Sequence, residues 1–260
     1  MPITRNEFKL IKSYLTKKGR KTHRKFIAEG VRLLEESLRF QVYPKLLLYS
    51  KAHMDVRIEH LLMNFKKKDI QAVQISTNDM KLLSDTTTPQ GVLGVFNMME
   101  QTATESLSKK SRNILWCENI SDPGNVGTLV RSALAFGYKT IFVSGETADI
   151  FSPKVVRSTM GAIFKVHIVR DTTDNILKMI QKNNIALLAS DMHGKPIHFV
   201  KNAVKKEKIV LAVGSEGFGL SQAIKTHATH SVRIDHSSDV ESLNVAVAGS
   251  ILMNDFQNER

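Results

Sequence analysis

From Asn113 onward the chain alternates short unbroken apolar runs with stretches whose apolar residues return every three or four positions. The runs at 114–118, 140–143, 164–169, 185–190, 208–213 and 231–234 predict strands. The periodic stretches at 125–136, 153–161, 173–182, 220–227 and 242–256 predict helices. Strands that are apolar throughout, separated by helices, indicate a parallel sheet covered on both faces. In such sheets ligands gather beyond the carboxyl ends of the strands, which directs attention to the loops there.

The first part of the chain also reads as α/β. Residues 6–17, 30–40 and 57–67 carry helical spacing, the last through Ile58, Leu61, Leu62 and Phe65. Phe26 to Ala28, Lys45 to Tyr49, Val73 to Ile75 and Gly91 to Phe96 predict strands. Residues 84–91 (Ser-Asp-Thr-Thr-Thr-Pro-Gln-Gly) form a polar turn region. Residues 98–112 are polar and aperiodic and read as a linker between a domain at 1–97 and another at 113–260.

Charge separates these two parts. The chain has 37 Lys and Arg against 25 Asp and Glu, a formal net charge of +12. Residues 1–68 hold 17 of the cations and 6 of the acids, a net +11, and the rest of the chain carries +1. The densest run is Lys17-Lys18-Gly19-Arg20-Lys21-Thr22-His23-Arg24-Lys25. Such a patch attracts a polyanion by counterion release, and its lack of large apolar residues argues against a lipid surface. Cys117 is the one cysteine, which excludes an intrachain disulfide and a multi-cysteine zinc site. His227, His230 and His236 lack metal-ligand spacing. No apolar run approaches the ~20 residues of a membrane helix. The start, MPITRNEFKLIKSYL, has no apolar signal core, so a cytoplasmic protein is expected.

Three loops at strand carboxyl ends carry the candidate chemistry. In Glu118 to Gly127, Asp122-Pro123-Gly124 makes a sharp turn, and Asn125 is placed to cap the next helix. That helix buries Val126, Leu129, Val130, Ala133 and Leu134, with Arg131 at the edge of the apolar stripe. Gly214-Ser215-Glu216-Gly217-Phe218-Gly219 follows a hydrophobic strand and lets a ligand approach the backbone. It matches neither a dinucleotide fingerprint nor a P-loop. Ile234 to Ala248 passes from a strand through a polar loop into a small-residue helix, with Ser242 as the expected N-cap.

Taken together, the loops resemble the SpoU (TrmH) family of RNA 2′-O-ribose methyltransferases, of the SPOUT superfamily. Its first motif is similar to Asp122-Pro-Gly-Asn125-Val-Gly-Thr-Leu-Val-Arg131, its second to Val213-Gly214-Ser-Glu216-Gly217-Phe-Gly219-Leu-Ser221, and its third to Glu241-Ser242-Leu243-Asn244-Val245-Ala246. Phe26-Ile-Ala-Glu29-Gly30-Val-Arg32 and Ser84 to Gly91 resemble the family's substrate-binding domain. The resemblance implies an α/β fold: a trefoil-knotted, parallel-sheet methyltransferase domain at the C-terminal side, preceded by a ribosomal-protein-like RNA-binding domain. It implies S-adenosylmethionine as cofactor, held through Gly214, Ile234 and Leu243. It also implies a homodimer formed through the C-terminal domain, an active site near the subunit boundary, and no metal. The expected catalytic residues are Asn125, Arg131, Glu216, Ser242 and Asn244. The expected RNA-binding residues are Lys17, Lys18, Arg20, Lys21, Arg24, Lys25 and Arg32.

The substrate expected is ribosomal RNA, with transfer RNA as the alternative. One departure favours a third reading. The family has Ile-Pro-Met-x-Gly where this chain has Ile234-Asp235-His236-Ser237-Ser238. A loop that had lost its cofactor would leave an RNA-binding assembly factor without catalysis. The family proposal has Arg131 take the proton of the 2′-hydroxyl. A guanidinium keeps its own proton, so phosphate binding and stabilisation of the developing alkoxide suit it better, with a phosphate oxygen, Glu216 or water as acceptor.

Overall fold

The computed structural model describes residues 3–101, 113–204 and 208–257, so most of the expected linker, 102–112, lies outside the described residues. The chain divides into two compact units. One comprises Met1–Met98 with Asp149–Phe164, the other Met99–Ala148 with Lys165–Arg260.

In the first unit, α1 (Arg5–Ser13) and α2 (Lys17–His23) precede β1 (Lys25–Glu29), α3 (Val31–Arg39), β2 (Leu46–Ser50), α4 (Val56–Lys66), β3 (Ala72–Ile75), α5 (Thr77–Leu83) and β4 (Val92–Asn97). The sheet order is β1-β4-β2-β3, with β4 antiparallel to both neighbours and β2 parallel to β3. The expected helix over 6–17 ends at Ser13, and the basic run that follows is itself helical. Thr16 starts it by accepting the Gly19 amide at 3.1 Å.

The segment 149–164 packs with this unit. Phe151 and Phe164 close an aromatic cluster on Phe26 and Phe96, with ring centroids 4.8–6.3 Å apart. Asp149 meets the guanidinium of Arg20 at 2.7 Å. Within the segment, α7 spans Pro153–Ser158, shorter than the expected 153–161.

The second unit holds a seven-stranded sheet ordered β11-β9-β10-β6-β7-β8-β5, parallel throughout. Its strands are β5 (Glu100–Gln101), β6 (Ile114–Glu118), β7 (Thr140–Ser144), β8 (His167–Arg170), β9 (Ala186–Pro196), β10 (Ile209–Val213) and β11 (His230–Arg233). β6, β7 and β10 are buried at every position, as their unbroken apolar runs require. The helices are α6 (Pro123–Ala135), α8 (Thr173–Lys182), α9 (Ile197–Ala203), α10 (Gln222–His227) and α11 (Val245–Asp255). α11 packs on α6 and β10. Gly249 makes this possible, because a Cβ there would stand 2.5 Å from Leu129 Cδ2. Among the described residues no helix is long and apolar enough to cross a membrane.

Candidate active site

The first and third loops meet on the second. Asp122, not Asn125, caps α6: its Oδ1 accepts the Asn125 amide at 2.8 Å. Pro123 occupies the first helical turn, where its missing N–H costs nothing. This corrects the expected cap and leaves the Asn125 carboxamide to other partners. Its Nδ2 donates to Glu216 Oε1 at 3.0 Å.

The cap of α11 is likewise Asn244, not Ser242. Asn244 Oδ1 accepts from the amides of Ala246 and Val247 at 2.9 and 3.3 Å. Its Nδ2 donates to Glu216 Oε1 at 2.6 Å and to Asn125 Oδ1 at 3.1 Å. The Val245 amide adds a 3.4 Å bond to the same Glu216 oxygen. Two helix starts are thus locked to one carboxylate oxygen, and hydrogen bonds donated to a carboxylate are the stronger kind.

The second loop is closed on itself. Ser215 O accepts the Gly219 amide at 2.9 Å, and Ser215 Oγ accepts the Phe218 amide at 3.2 Å. Gly219 has φ +65°, a left-handed conformation that suits glycine. A Cβ on Gly214 would stand 2.4 Å from Gly219 C, so that position tolerates no larger residue.

Behind the turn, Glu118 at the end of β6 is 1% exposed. It accepts from Ser221 N at 2.7 Å, Ser221 Oγ at 2.9 Å and Thr173 Oγ1 at 2.8 Å. A buried carboxylate survives only when hydrogen-bonded in this way. Glu118 therefore anchors the far end of the glycine turn. The sequence shows Glu118 as the polar end of an apolar strand but not its partners, Thr173 and Ser221, 55 and 103 residues away.

The third loop is different. Asp235 pairs with Arg233 at 2.9 Å, Ser237 Oγ donates to Asp239 at 2.6 Å, and the Asp239 amide donates back to Ser237 Oγ at 3.2 Å. The side chains of Asp235 through Asp239 bond within 233–239 and to neither of the other loops.

A cavity of about 320 Å³ opens beside these loops, at the lower end of the ~300–1,000 Å³ typical of small-molecule sites. Gly214, Ile234 and Leu243 all line it, as do Glu216 and Ser242. The rest of its lining includes the distal half of β9, Ser190 to His193, and Lys225 of α10. The sequence reading stopped β9 at residue 190 and missed this part of the lining. Asp191 pairs with Lys225 at 2.9 Å. Burial pushes the Asp191 carboxyl up, but the His193 amide and Lys225 outweigh it and hold its pKa below the ordinary value.

Arg131 stands apart. It is exposed on α6 and has no hydrogen bond or ion pair among the described residues. Six residues beyond Asn125, it lies about 9 Å further along the helix and on another face. Ser242 is exposed and caps nothing.

Of the basic residues, Lys17, Lys18, Lys21, Arg24 and Arg32 are exposed and Lys25 is half-buried. Arg20 requires a correction. It is 3% exposed, and its donors are taken by Asp149 Oδ2 and by the carbonyls of Tyr14 and Leu15 at 2.7–3.0 Å. Close packing of Gly19 on Ser13 carries the guanidinium inward. Arg20 therefore braces the first unit and does not belong to the exposed basic surface. Cys117 is fully buried, which pushes its thiol up to about 12 and removes it as a nucleophile. Among the described residues no group of three or more His, Cys, Asp or Glu is placed to hold a metal.

A parallel α/β sheet with a glycine-turn cavity at its strand ends, preceded by a basic α/β unit, is the architecture of SPOUT methyltransferases. The chain belongs to the SpoU rRNA methylase family, whose sequence model matches residues 112–254. Residues 5–94 match the MRM3-like substrate binding domain. The Bacillus subtilis 23S rRNA (guanosine(2553)-2′-O)-methyltransferase RlmP is 28% identical over 239 residues, covering 92% of this chain and 90% of that protein. Human mitochondrial rRNA methyltransferase 3 is 33% identical over 153 residues, 56% of this chain and 35% of the human protein. An AdoMet-bound rRNA methyltransferase from Sinorhizobium meliloti superposes with a TM-score of 0.85 at 26% identity, covering 98% of this chain and 95% of that one.

Proposed function

We propose that the chain is an S-adenosylmethionine-dependent methyltransferase that modifies a ribose 2′ oxygen in 23S ribosomal RNA. The observation that carries this is the convergence of Asn125, Asn244 and the Val245 amide on Glu216 Oε1 at the rim of the cavity. The residues present fit the cofactor. Gly214 and Gly219 keep the cavity's backbone bare of side chains, and Ile234 and Leu243 line it beside them. The bound cofactor would supply an electrophilic methyl on a sulfonium.

The chain's own residues then have to place and activate a hydroxyl, and positioning is the first requirement. Glu216 fixes the two carboxamides, and Asn125 with Asn244 orients the ribose. Arg131 binds a phosphate of the RNA and stabilises the developing alkoxide. The hydroxyl proton passes to a phosphate oxygen or to water. In the homodimer that this reading includes, with the site at the subunit boundary, the exposed Arg131 serves RNA without joining the cluster on its own Glu216. The knotted C-terminal chain path and a cytoplasmic setting belong to the same reading. The exposed cations of α2, with Arg24 and Arg32, hold the RNA backbone.

A second reading is favoured by the third loop, whose bonds stay within itself: an RNA-binding protein that does not hold cofactor. Label from S-adenosyl-[methyl-³H]methionine, offered with unmodified 23S ribosomal RNA and with transfer RNA in parallel, decides. Label mapped to a ribose 2′ oxygen of ribosomal RNA is the expected result. Label in transfer RNA alone moves the substrate. Absence of label together with absence of cofactor binding by calorimetry establishes the second reading.

A further inference from the structure

Phe218 has no part in the chemistry described above, yet its position is unusual. It is 95% exposed, the most exposed large hydrophobic side chain among the described residues. A lone apolar side chain on a surface is ordinary. This one sits at the tip of the second loop, between Gly217 and Gly219, with open space around both glycines. It is two residues from Glu216, hence within about 7 Å along the chain of the carboxylate that orders the site. It also borders the cavity, whose lining includes the 55% exposed Met192. The turn beneath it is fixed by the Ser215 bonds and by Glu118 on Ser221, so the ring is presented by a held backbone.

A planar apolar face, free on both sides and beside a ribose-orienting cluster, matches one component of RNA. Bases in a duplex are stacked on each other and offer no free face, whereas an unstacked base seeks an aromatic platform. We propose that Phe218 stacks on an unpaired RNA base adjacent to the reacting ribose, so that the enzyme takes its substrate from a single-stranded or extruded nucleotide. This rests on the methyltransferase reading and adds to it the state of the nucleotide and a specificity-determining residue.

The test uses the full chain and transcribed 23S ribosomal RNA. For Phe218→Ala, methyl transfer is expected to lose roughly ten- to a hundredfold in kcat/KM, the usual effect of removing one stacking platform. The loss should fall mainly on the KM for RNA, with S-adenosylmethionine affinity by calorimetry unaltered. Phe218→Trp should keep most of the activity and Phe218→Leu should not, since leucine is apolar but offers no stacking face. Trp116 is the only native tryptophan and is fully buried, so the indole at 218 reports directly. Its emission should be quenched by single-stranded RNA and not by duplex RNA of the same length. Unaltered kinetics in the alanine variant, equal rescue by leucine, or an equal fall in cofactor affinity would each overturn the inference. If the wild-type chain methylates no RNA, the functional reading fails by itself. The indole titration then still decides the stack: quenching by single-stranded RNA sustains it and no quenching overturns it.

Discussion

The second and third loops border the same cavity but are held in opposite ways. The second is gripped at Glu216 from two helix starts and at Ser221 by Glu118 behind the turn. The third keeps the family residues Glu241 to Asn244, but from Asp235 to Asp239 its side chains bond only among near neighbours. The contrast runs along the third loop itself: Asn244 joins the cluster on Glu216, whereas Asp235 to Asp239, the part that departs from the motif it resembles, bonds only near neighbours. Loops tied to several elements open rarely, and loops tied only to themselves adjust at little cost.

The strongest way to break this comparison is Glu216→Ala. It frees both carboxamides at once, and methyl transfer should fall about 10²–10³-fold, as for loss of one preorganised electrostatic contact. Near-normal turnover in a steady-state assay would remove Glu216 from the centre of the site.

Asn244→Asp separates the two jobs of that side chain. A carboxylate still caps α11 but places charge against Glu216 Oε1. Turnover should drop at least tenfold while urea-measured stability stays within about 0.5 kcal/mol, whereas Asn244→Ala should also lose about 1 kcal/mol of capping. Equal stability losses in both would show the Nδ2 bonds to the cluster, which both variants lose, and not the cap, to be the main structural role. Next in size is Glu118→Gln. Its amide can accept from fewer of the three donors, and unfolding should become easier by about 1–3 kcal/mol.

Ser237→Ala with Asp239→Ala marks the other side of the contrast. These bonds are exposed and local, so stability should move by less than about 0.5 kcal/mol. Cofactor affinity should stay within about twofold. A large fall in affinity would mean that the third loop is as fixed as the second.

The smallest expected effect is acid sensitivity at Asp191. Its folded pKa is lowered, so its contribution is present above the ordinary aspartate value and is lost as pH falls through the lowered one. Asp191→Asn should flatten the stability curve slightly on the acid side and leave neutral pH nearly unaltered.

The sequence carried the sheet of the second unit well, because buried parallel strands announce themselves as apolar runs: β6, β10 and α8 lie within a residue of their expected bounds. It did not carry α2, whose seven residues contain no apolar stripe at all. Nor did it carry the packing of residues 149–164 with the first unit, since strand–helix alternation says nothing about which core a segment joins. Of the site, the three loops were legible and the division of labour within them was not. Asn125 and Ser242 both have good capping chemistry, but Asp122 and Asn244 stand at the actual helix starts. Arg20 looked like its neighbours in a basic run. Only the approach of Gly19 to Ser13 and a carboxylate 129 residues away turn it inward.

Asn113 Nδ2 donates to the carbonyl of Phe256 at 2.7 Å, joining residues 143 apart at the two ends of the second unit. Bringing such distant positions together carries a closure entropy of about 4 kcal/mol beyond the fixed term. Contacts of such span slow folding, because the closure entropy is paid before the contact returns it. The first turn of α11 carries Asn244, so the site is complete only once this closure is made. Methyl transfer should therefore return no earlier in refolding than the burial of Trp116, whose strand itself pairs with β10 across 96 residues: the loops gain their chemistry only with the whole sheet.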